Sequence, residues 1–544
     1  MDFSYLPSNS IPKLRSPRRI SLVAVVLFIL IISPKTVSAP SLDLSGFVFC
    51  DQNQNGCFDS GETGIPNVPV AYDQFMTQTD SSGRYQLPYP AQATTIFVSQ
   101  PAGYRYPLDE DYLPQNYYHH QPHGSPSYLR YRGIRPTGNV PIPLNFPLYR
   151  TAVDTEFTAL VIADPQVKTQ KQLAYFESDL LRLTDQTGFD LCLILGDLVH
   201  DHLHLFEKLR PILAKPEVPI FALPGNHDMN YRAPTDMVSL DSYRRHFGAP
   251  YYSFSQGKVH FVCLDNIEWM GAQAGEKRIS RSYRGRLSAA QLAWLEADLA
   301  TIPNSHLIVL AMHIPLYSQI HQGRFDFVQN RDALLSILND FPRVLVLCGH
   351  THTIEQVDLT VLTPDSAAGY QSEMICGAAC GAWWRGPKDR FGIPQSNGPD
   401  GSPRGMFLFR FRGNQYSYRF IPSSNPDSQI EMRAPRRPLS RRQRKNAKIV
   451  VNFFSGNQES ELLCQIGDLE PVTMQNEKII DPWLKRQYLR YSRCYTFPYR
   501  LRRSTHIWTA PIPAELCSGS YPIRIQACDG QGNTFFTESQ VIIR

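Results

Sequence analysis

Leu223-Pro224-Gly225-Asn226-His227-Asp228 sets small and polar residues directly after an apolar run. Alone, it reads as an ordinary turn between a strand and a helix. Four further blocks change its weight: Ala163-Asp164-Pro165-Gln166 and Gly196-Asp197-Leu198-Val199-His200-Asp201 upstream, Met312-His313-Ile314-Pro315 and Gly349-His350-Thr351-His352 downstream. Each of the five blocks follows an apolar run, at 157–162, 191–195, 219–223, 306–311 and 344–348. Uninterrupted apolar runs fit strands covered on both faces, which predicts an α/β fold. Ligands of open α/β sheets collect beyond the carboxyl ends of the strands. Asp164, Asp197, Asn226, His313, His350 and His352 are therefore predicted to converge on one rim.

Two carboxylates, an amide oxygen and three imidazoles at one point suit Mn, Fe or Zn better than Ca or Mg. One Asp between two cations offsets their repulsion, so a bridging carboxylate implies two metals about 3.5–4 Å apart. Any one of these residues alone is an ordinary helix cap or a satisfied histidine. Five strand-end blocks together leave that reading little room.

The blocks resemble the calcineurin-like metallophosphoesterases over 156–421, whose pattern runs Asp-x-His, Gly-Asp, Gly-Asn-His-Asp/Glu, a lone His, and Gly-His-x-His. The resemblance implies a four-layer αββα sandwich. It also implies one metal held by Asp164, Asp197 and His352 and a second by Asp197, Asn226, His313 and His350. The first block departs from the pattern, because Gln166 stands where His is usual; its amide oxygen either ligates weakly or lines the site. The expected chemistry is hydrolysis of a phosphate mono- or diester. Two cations acidify a bridging water, the resulting hydroxide attacks phosphorus in line, and His227 protonates the leaving alkoxide. The carboxylate that orients His227 is left open between Asp228 and Asp201, since His200 occupies the position where many relatives carry an acid.

The rest of the 544-residue chain is read around that centre. A hydrophobic fraction of 42% is ample for several cores, and a net charge of +5 gives no argument for nucleic acid. Residues 1–39 combine a basic flank, a short apolar run and Val37-Ser38-Ala39, which read as an export signal or an uncleaved anchor; the product is expected in the periplasm, on the cell surface or secreted. Residues 40–150 read as a β-sandwich resembling Cna-B or SdrD-type adhesin repeats. They contain a calcium-loop-like turn with Asp51, Asn53, Asn55, Asp59 and Glu62 as donors and Gly56 at its bend. The Pro-, Tyr- and His-rich stretch 88–148 is expected to be an extended connector on the catalytic domain.

Residues 151–432 form the expected phosphoesterase domain, with helices at 170–187, 203–213 and from the Ser288 cap through Leu299. The run 261–266 is one more strand, assigned a structural place at a sheet edge. Trp383 and Trp384 either roof the metal cleft or belong to the core. The basic stretch 433–447 reads as a solvated linker, or through 433–445 as a dock for an anionic cell-envelope surface; 448–544 reads as a second, mainly β domain. Eleven cysteines in an exported chain predict disulfides, with Cys50–Cys57 and pairs among Cys464, Cys494, Cys517 and Cys528 as candidates, whereas Cys192, Cys263 and Cys348 read as buried thiols. The competing functional class is a surface binding or adhesion protein built on an inactive phosphoesterase fold. Retention of six ligand-type residues and His227 favours the enzyme.

Overall fold

The five apolar runs are all strands in the computed structural model: Glu156–Ile162, Leu191–Ile194, Ile220–Ala222, Leu307–Ala311 and Arg343–Cys348. The structure describes residues 43–271, 283–323, 325–362, 370–495 and 500–544. The export segment expected at 1–39 lies outside them. Among the described residues, no helix is long and apolar enough to cross a membrane.

The five strands divide between two sheets. In the first, Ile220–Ala222, Leu191–Ile194 and Glu156–Ile162 run parallel and are extended by the antiparallel Gly405–Arg412 and Gln415–Pro422. In the second, Val259–Cys263, Leu307–Ala311, Arg343–Cys348 and Tyr370–Cys376 run parallel, with Tyr252–Gln256 and Ile354–Asp358 antiparallel at the edges. The sheets face each other through aromatic rings: Phe221 of the first stacks on Phe254 of the second at 3.7 Å between centroids, and Phe157 meets Phe261 at 6.1 Å. Parallel neighbours require crossovers. Helices Gln170–Thr184 and Phe206–Leu213 make them on the first sheet, and Ala289–Leu299 and Arg331–Leu338 on the second, which gives four layers, αββα.

Local chemistry accounts for the helix ends. Thr169 accepts from the Gln172 amide and starts the first helix, which buries Leu173, Phe176, Leu180 and Leu183 along one face. The helix stops at Thr184, three residues before the expected end. The segment predicted at 203–213 opens instead as a tight 3₁₀ turn, Leu203–Leu205, before turning α-helical. Ser288 caps the helix Ala289–Leu299 by accepting from the Gln291 amide at 3.1 Å. The strand Val259–Cys263 is not at the sheet edge; the hairpin partner Tyr252–Gln256 covers it.

The N-terminal module is a β-sandwich. One sheet carries Asp43–Cys50, Arg84–Pro88 and Phe146–Arg150, and the other Phe75–Gln78, Pro69–Tyr72, Thr94–Val98 and Tyr117–His120. His119 and His120 thus belong to a strand rather than to a connector. Strands flank the calcium-loop-like turn, whose carboxylates fold inward. Asp51 accepts from the Gly56 amide at 2.8 Å, Glu62 from the Gln52 amide at 2.9 Å, and Asp59 from the Asn55 side chain at 2.7 Å.

A second sandwich closes the chain, with sheets built on Ile430–Ala434, Lys448–Phe453 and Ile507–Pro511, and on Glu461–Ile466, Gly519–Cys528 and Thr534–Ile543. The basic stretch is therefore not an open linker from residue 433. Arg433 sits inside the first of these strands, 1% exposed, with its guanidinium 2.9 Å from Asp481, because a buried cation needs a buried partner. Arg436, Arg437, Arg442 and Lys445 remain exposed.

All eleven cysteines are free, contrary to the expected disulfides. Cys50 is buried at a strand end whereas Cys57 is exposed on the turn. Cys192, Cys263 and Cys348 are buried thiols.

Arg404 ties the first helix to the loop beyond the second sheet. It is 1% exposed, and donates to Asp179 at 2.6 Å and Asp389 at 2.7 Å. Arg404→Met is predicted to destabilise the fold by about 3–5 kcal/mol, because two carboxylates lose their shared cation in a dry site. Chemical denaturation checks this; an unchanged midpoint would show the pair to be dispensable.

Candidate metal centre

The polar blocks meet where the two sheets present their strand ends to each other. Asp164 comes from the first sheet and its Oδ2 accepts from the backbone amide of His350, on the second, at 2.9 Å. In the opposite direction, His313 from the second sheet hydrogen-bonds through Nδ1 to the carbonyl of Leu195, on the first, at 2.8 Å. Between them, Asp197 Oδ2 lies 3.4 Å from His313 Nε2, and Asn226 Oδ1 lies 3.1 Å from the same nitrogen. His352 Nε2 stands 3.5 Å from Asp164 Oδ1.

The backbone is bent to achieve this. Asp164, Gln166, Asp197, His350 and His352 have φ of +48°, +41°, +50°, +71° and +58°. Non-glycine residues in this left-handed region cost about 1–3 kcal/mol each and persist only where the surroundings over-determine them. The turns also require close approach: a Cβ on Gly225 would sit 2.2 Å from the Asp197 amide nitrogen, and one on Gly349 2.4 Å from Asp164 Oδ2. Glycine is thus the residue each of these contacts admits.

The donor set fits divalent metal. Each histidine has one ring nitrogen occupied by a backbone carbonyl: His313 by Leu195, His350 by Phe325 at 3.1 Å and His352 by Gly381 at 2.7 Å. That leaves the other nitrogen of each ring turned to the centre as a lone-pair donor, the orientation that ligating histidines show. Asp164 Oδ1 is buried and has no hydrogen-bond partner. A bare buried carboxylate oxygen is costly unless a cation meets it. Ligand atoms of Asp164, Asp197 and His313 all fall within 4.8 Å of one another.

The electrostatics follow the same division. Burial pushes the Asp164 carboxyl up to about 8. Burial acts on Asp197 likewise, but the imidazoles of His313 and His227 outweigh it and hold that carboxyl low. Burial draws His350 down to about 3 and His352 down to about 4, which keeps both neutral, as metal ligands must be.

Gln166 occupies the centre without turning its oxygen to it. Its Nε2 donates to Asp197 Oδ2 at 3.0 Å, and its Oε1 faces the Cys380 thiol at 3.8 Å. Of the two carboxylates considered for His227, Asp201 holds the ring: its Oδ1 hydrogen-bonds His227 Nδ1 and the Tyr231 hydroxyl. Asp228 has another task. Fully buried, it accepts from the amides of Gly225 at 2.9 Å, Leu198 at 3.1 Å and Val199 at 3.2 Å, and so pins the Gly-Asp turn to the Gly-Asn-His-Asp turn. Both its oxygens are taken up by these amides rather than by the ring.

His227 retains 20% exposure of its side chain, enough to meet a substrate. Burial lowers its affinity for a proton, yet the carboxylates of Asp197 and Asp201 outweigh this and raise it to about 9. His200 stacks on it at 4.4 Å between centroids. Trp383 lies over His352 at 4.6 Å, while Trp384 is core, donating its indole N–H to the carbonyl of Pro165 at 3.0 Å.

Sequence reasoning missed Tyr231, four residues after His227, and Asn266, whose side chain grips the backbone N–H and carbonyl of Ile314 beside His313. A polar residue three positions after the strand 259–263 was the available signal for Asn266.

Asp228→Ala leaves buried N–H groups without an acceptor, at about 1–3 kcal/mol each. The expected result is a lowered thermal midpoint together with loss of bound metal by elemental analysis; a variant with both unchanged would refute the bracing role.

Comparison with known proteins agrees with this geometry. Residues 157–353 match the model of the calcineurin-like phosphoesterase family, 52–132 that of the N terminal of calcineurin-like phosphoesterase, and 373–535 that of its C terminal. A 3′,5′-cyclic-nucleotide phosphodiesterase of Nostoc sp. is 29% identical over 167 residues, covering 30% of this chain and 56% of that protein. The 3′,5′-cyclic adenosine monophosphate phosphodiesterase CpdA of Escherichia coli is 30% identical over 179 residues, 32% of this chain and 58% of that one. Purple acid phosphatase 23 of Arabidopsis thaliana is 26% identical over 162 residues, 28% of this chain and 31% of that one. The chain thus spans little more than half of the first two relatives. Among solved structures, a dimetal phosphatase from Danio rerio aligns at 16% identity and a TM-score of 0.34, covering 50% of this chain and 100% of that one. With its catalytic core and both flanking modules matched, the chain belongs to the calcineurin-like phosphoesterases, in the form that carries N- and C-terminal extensions.

Proposed function

We propose that this chain hydrolyses phosphate mono- or diesters at the rim shared by its two sheets. The observation that carries the reading is the convergence of three imidazole nitrogens, two carboxylates and one amide oxygen beside a partly exposed His227 whose far nitrogen is held by Asp201. Relatives named as cyclic-nucleotide phosphodiesterases and as a purple acid phosphatase support both ester classes.

Asp164, Asp197 and His352 are assigned to one site and Asp197, Asn226, His313 and His350 to the other, where divalent Mn, Fe or Zn would supply Lewis-acid stabilisation of phosphoryl oxygens and acidify water. The chain's own residues do the rest. Gln166 donates to Asp197 and so fixes the carboxylate shared between the two sites. His227, held in one orientation by Asp201 and Tyr231, gives its Nε2 proton to the leaving oxygen as the P–O bond breaks. Its Nε2, 4.0 Å from Asp197 Oδ2, is the nitrogen on the centre's side of the ring. Trp383 packs on the ring of His352.

Two substitutions separate the roles. Asp197→Asn is expected to abolish both bound metal and turnover of an aryl phosphodiester. His227→Ala is expected to retain metal while lowering kcat on alkyl esters by about 10²–10⁴-fold, with a smaller loss on p-nitrophenyl esters, whose leaving group needs no proton. Equal losses on both ester types would remove His227 from the proton-transfer role. Absence of both metal and activity in the wild type would sink the hydrolase reading.

A further inference from the structure

A short antiparallel ribbon, Ile267–Trp269 paired with Tyr283–Gly285, lies against the metal centre. Residues directly opposite each other in such a pair share a face, and successive residues take opposite faces. Glu268 and Arg284 are one opposed pair; they form an ion pair on the outer face and stay partly exposed. Trp269 and Tyr283 are the next pair and occupy the inner face. Trp269 is buried, donates its indole N–H to the carbonyl of Ala233 at 2.7 Å, and packs on Tyr231 at 5.7 Å between centroids. Tyr231 is the residue that, with Asp201, holds His227.

Across the ribbon, Tyr283 meets the His350 ring edge-on, with centroids 6.2 Å apart and planes at 87°, and the Phe325 ring at 6.1 Å. The carbonyl of that same Phe325 occupies the far nitrogen of His350. The inner face of the ribbon therefore runs from the support of His227 to a ligand-type imidazole. Tyr283 is fixed by its ring but not by its oxygen. The side chain is half-buried, and among the described residues its hydroxyl meets no hydrogen-bond partner, whereas the hydroxyl of Tyr231 is spent on Asp201. Buried phenol oxygens ordinarily find a partner, so a held ring with a free hydroxyl beside the centre is a donor awaiting an acceptor. Its surroundings place the oxygen further. Burial, and then the carboxylates of Asp197, Asp326 and Asp201, push the phenol up, so it keeps its proton at neutral pH and lies within the field of both the carboxylate shared by the two sites and the one that holds His227.

We propose that the Tyr283 hydroxyl donates a hydrogen bond to a non-bridging phosphoryl oxygen of the bound ester, which makes Tyr283 a catalytic residue of this centre. The inference rests on the phosphoesterase reading above and adds a substrate-contacting group to that same site. No bond to Tyr283 is made or broken. Its proton stays on the phenol oxygen while charge gathers on the phosphoryl oxygens, and the leaving oxygen takes its proton from His227. Hydrogen bonds to ionised oxygens are the strong ones, and a donor already in place needs no reorganisation.

Tyr283→Phe tests this on the Mn-loaded full chain, because it keeps the ring against His350 and removes only the hydroxyl. Bound metal by elemental analysis is expected to match the wild type, while kcat/KM falls by about 10–100-fold. The fall should be the same on alkyl and p-nitrophenyl esters, since the hydroxyl serves the phosphoryl group and not the leaving group. An unchanged kcat/KM, a loss confined to alkyl esters, or a loss of bound metal each overturns the proposal. Turnover by the wild type with an unaffected Tyr283→Phe variant rejects Tyr283 alone, whereas a wild type without turnover rejects the hydrolase reading. In that second case calorimetric titration of the Mn-loaded chain with orthovanadate decides the hydroxyl by itself. Binding weakened about tenfold or more in Tyr283→Phe supports the contact; equal binding, or none in the wild type, refutes it.

Discussion

The structure depends on a reciprocal stitch between its two sheets. A carboxylate from the first accepts a backbone amide from the second, Asp164 to His350, and an imidazole from the second bonds a backbone carbonyl of the first, His313 to Leu195. Both contacts are buried, where a hydrogen bond is strong and an unmet partner expensive. They fix the distance between the two rows of strand ends. Ligand atoms from different sheets can then share an ion without either sheet having to move.

That stitch explains why so much of the local geometry is unfavourable by itself. Left-handed backbone at five ligand-type residues, a bare carboxylate oxygen on Asp164 and clustered imidazoles all oppose folding. What holds them is a ring of ordinary interactions outside the centre. Asp228 takes up three amides, Asn266 grips Ile314, and the buried carboxylates of Glu373 and Glu355 accept the amides of Leu316, Tyr317 and Gln319 in the loop after His313. The strain is tolerated because the surrounding bonds leave the turns no alternative path.

The flanking modules take part in the same arrangement. The N-terminal segment reaches the His227 loop through Tyr131, and the C-terminal sandwich reaches the turn after the last ligands through His506, whose Nε2 lies 3.0 Å from Asp400 while Asp400 accepts the amide of Ile354 at 2.7 Å. The geometry of the centre is thereby tied to parts of the chain far from the motifs in sequence.

The sequence by itself determined the strands, the order of the polar blocks and their common rim, because apolar runs of strand length followed by Gly, Asp, Asn and His are local patterns that survive without tertiary context. It also carried the two β-rich flanks. Tertiary structure alone decided which carboxylate serves His227, since Asp201 and Asp228 differ only in the direction their turns face, and a backbone φ of +63° at Asp201 is invisible in a string of residues. It likewise decided that Gln166 presents its amide nitrogen to Asp197, that Arg433 is interior and that the cysteines stay apart. Those outcomes depend on contacts between residues tens or hundreds of positions apart, which no local pattern records.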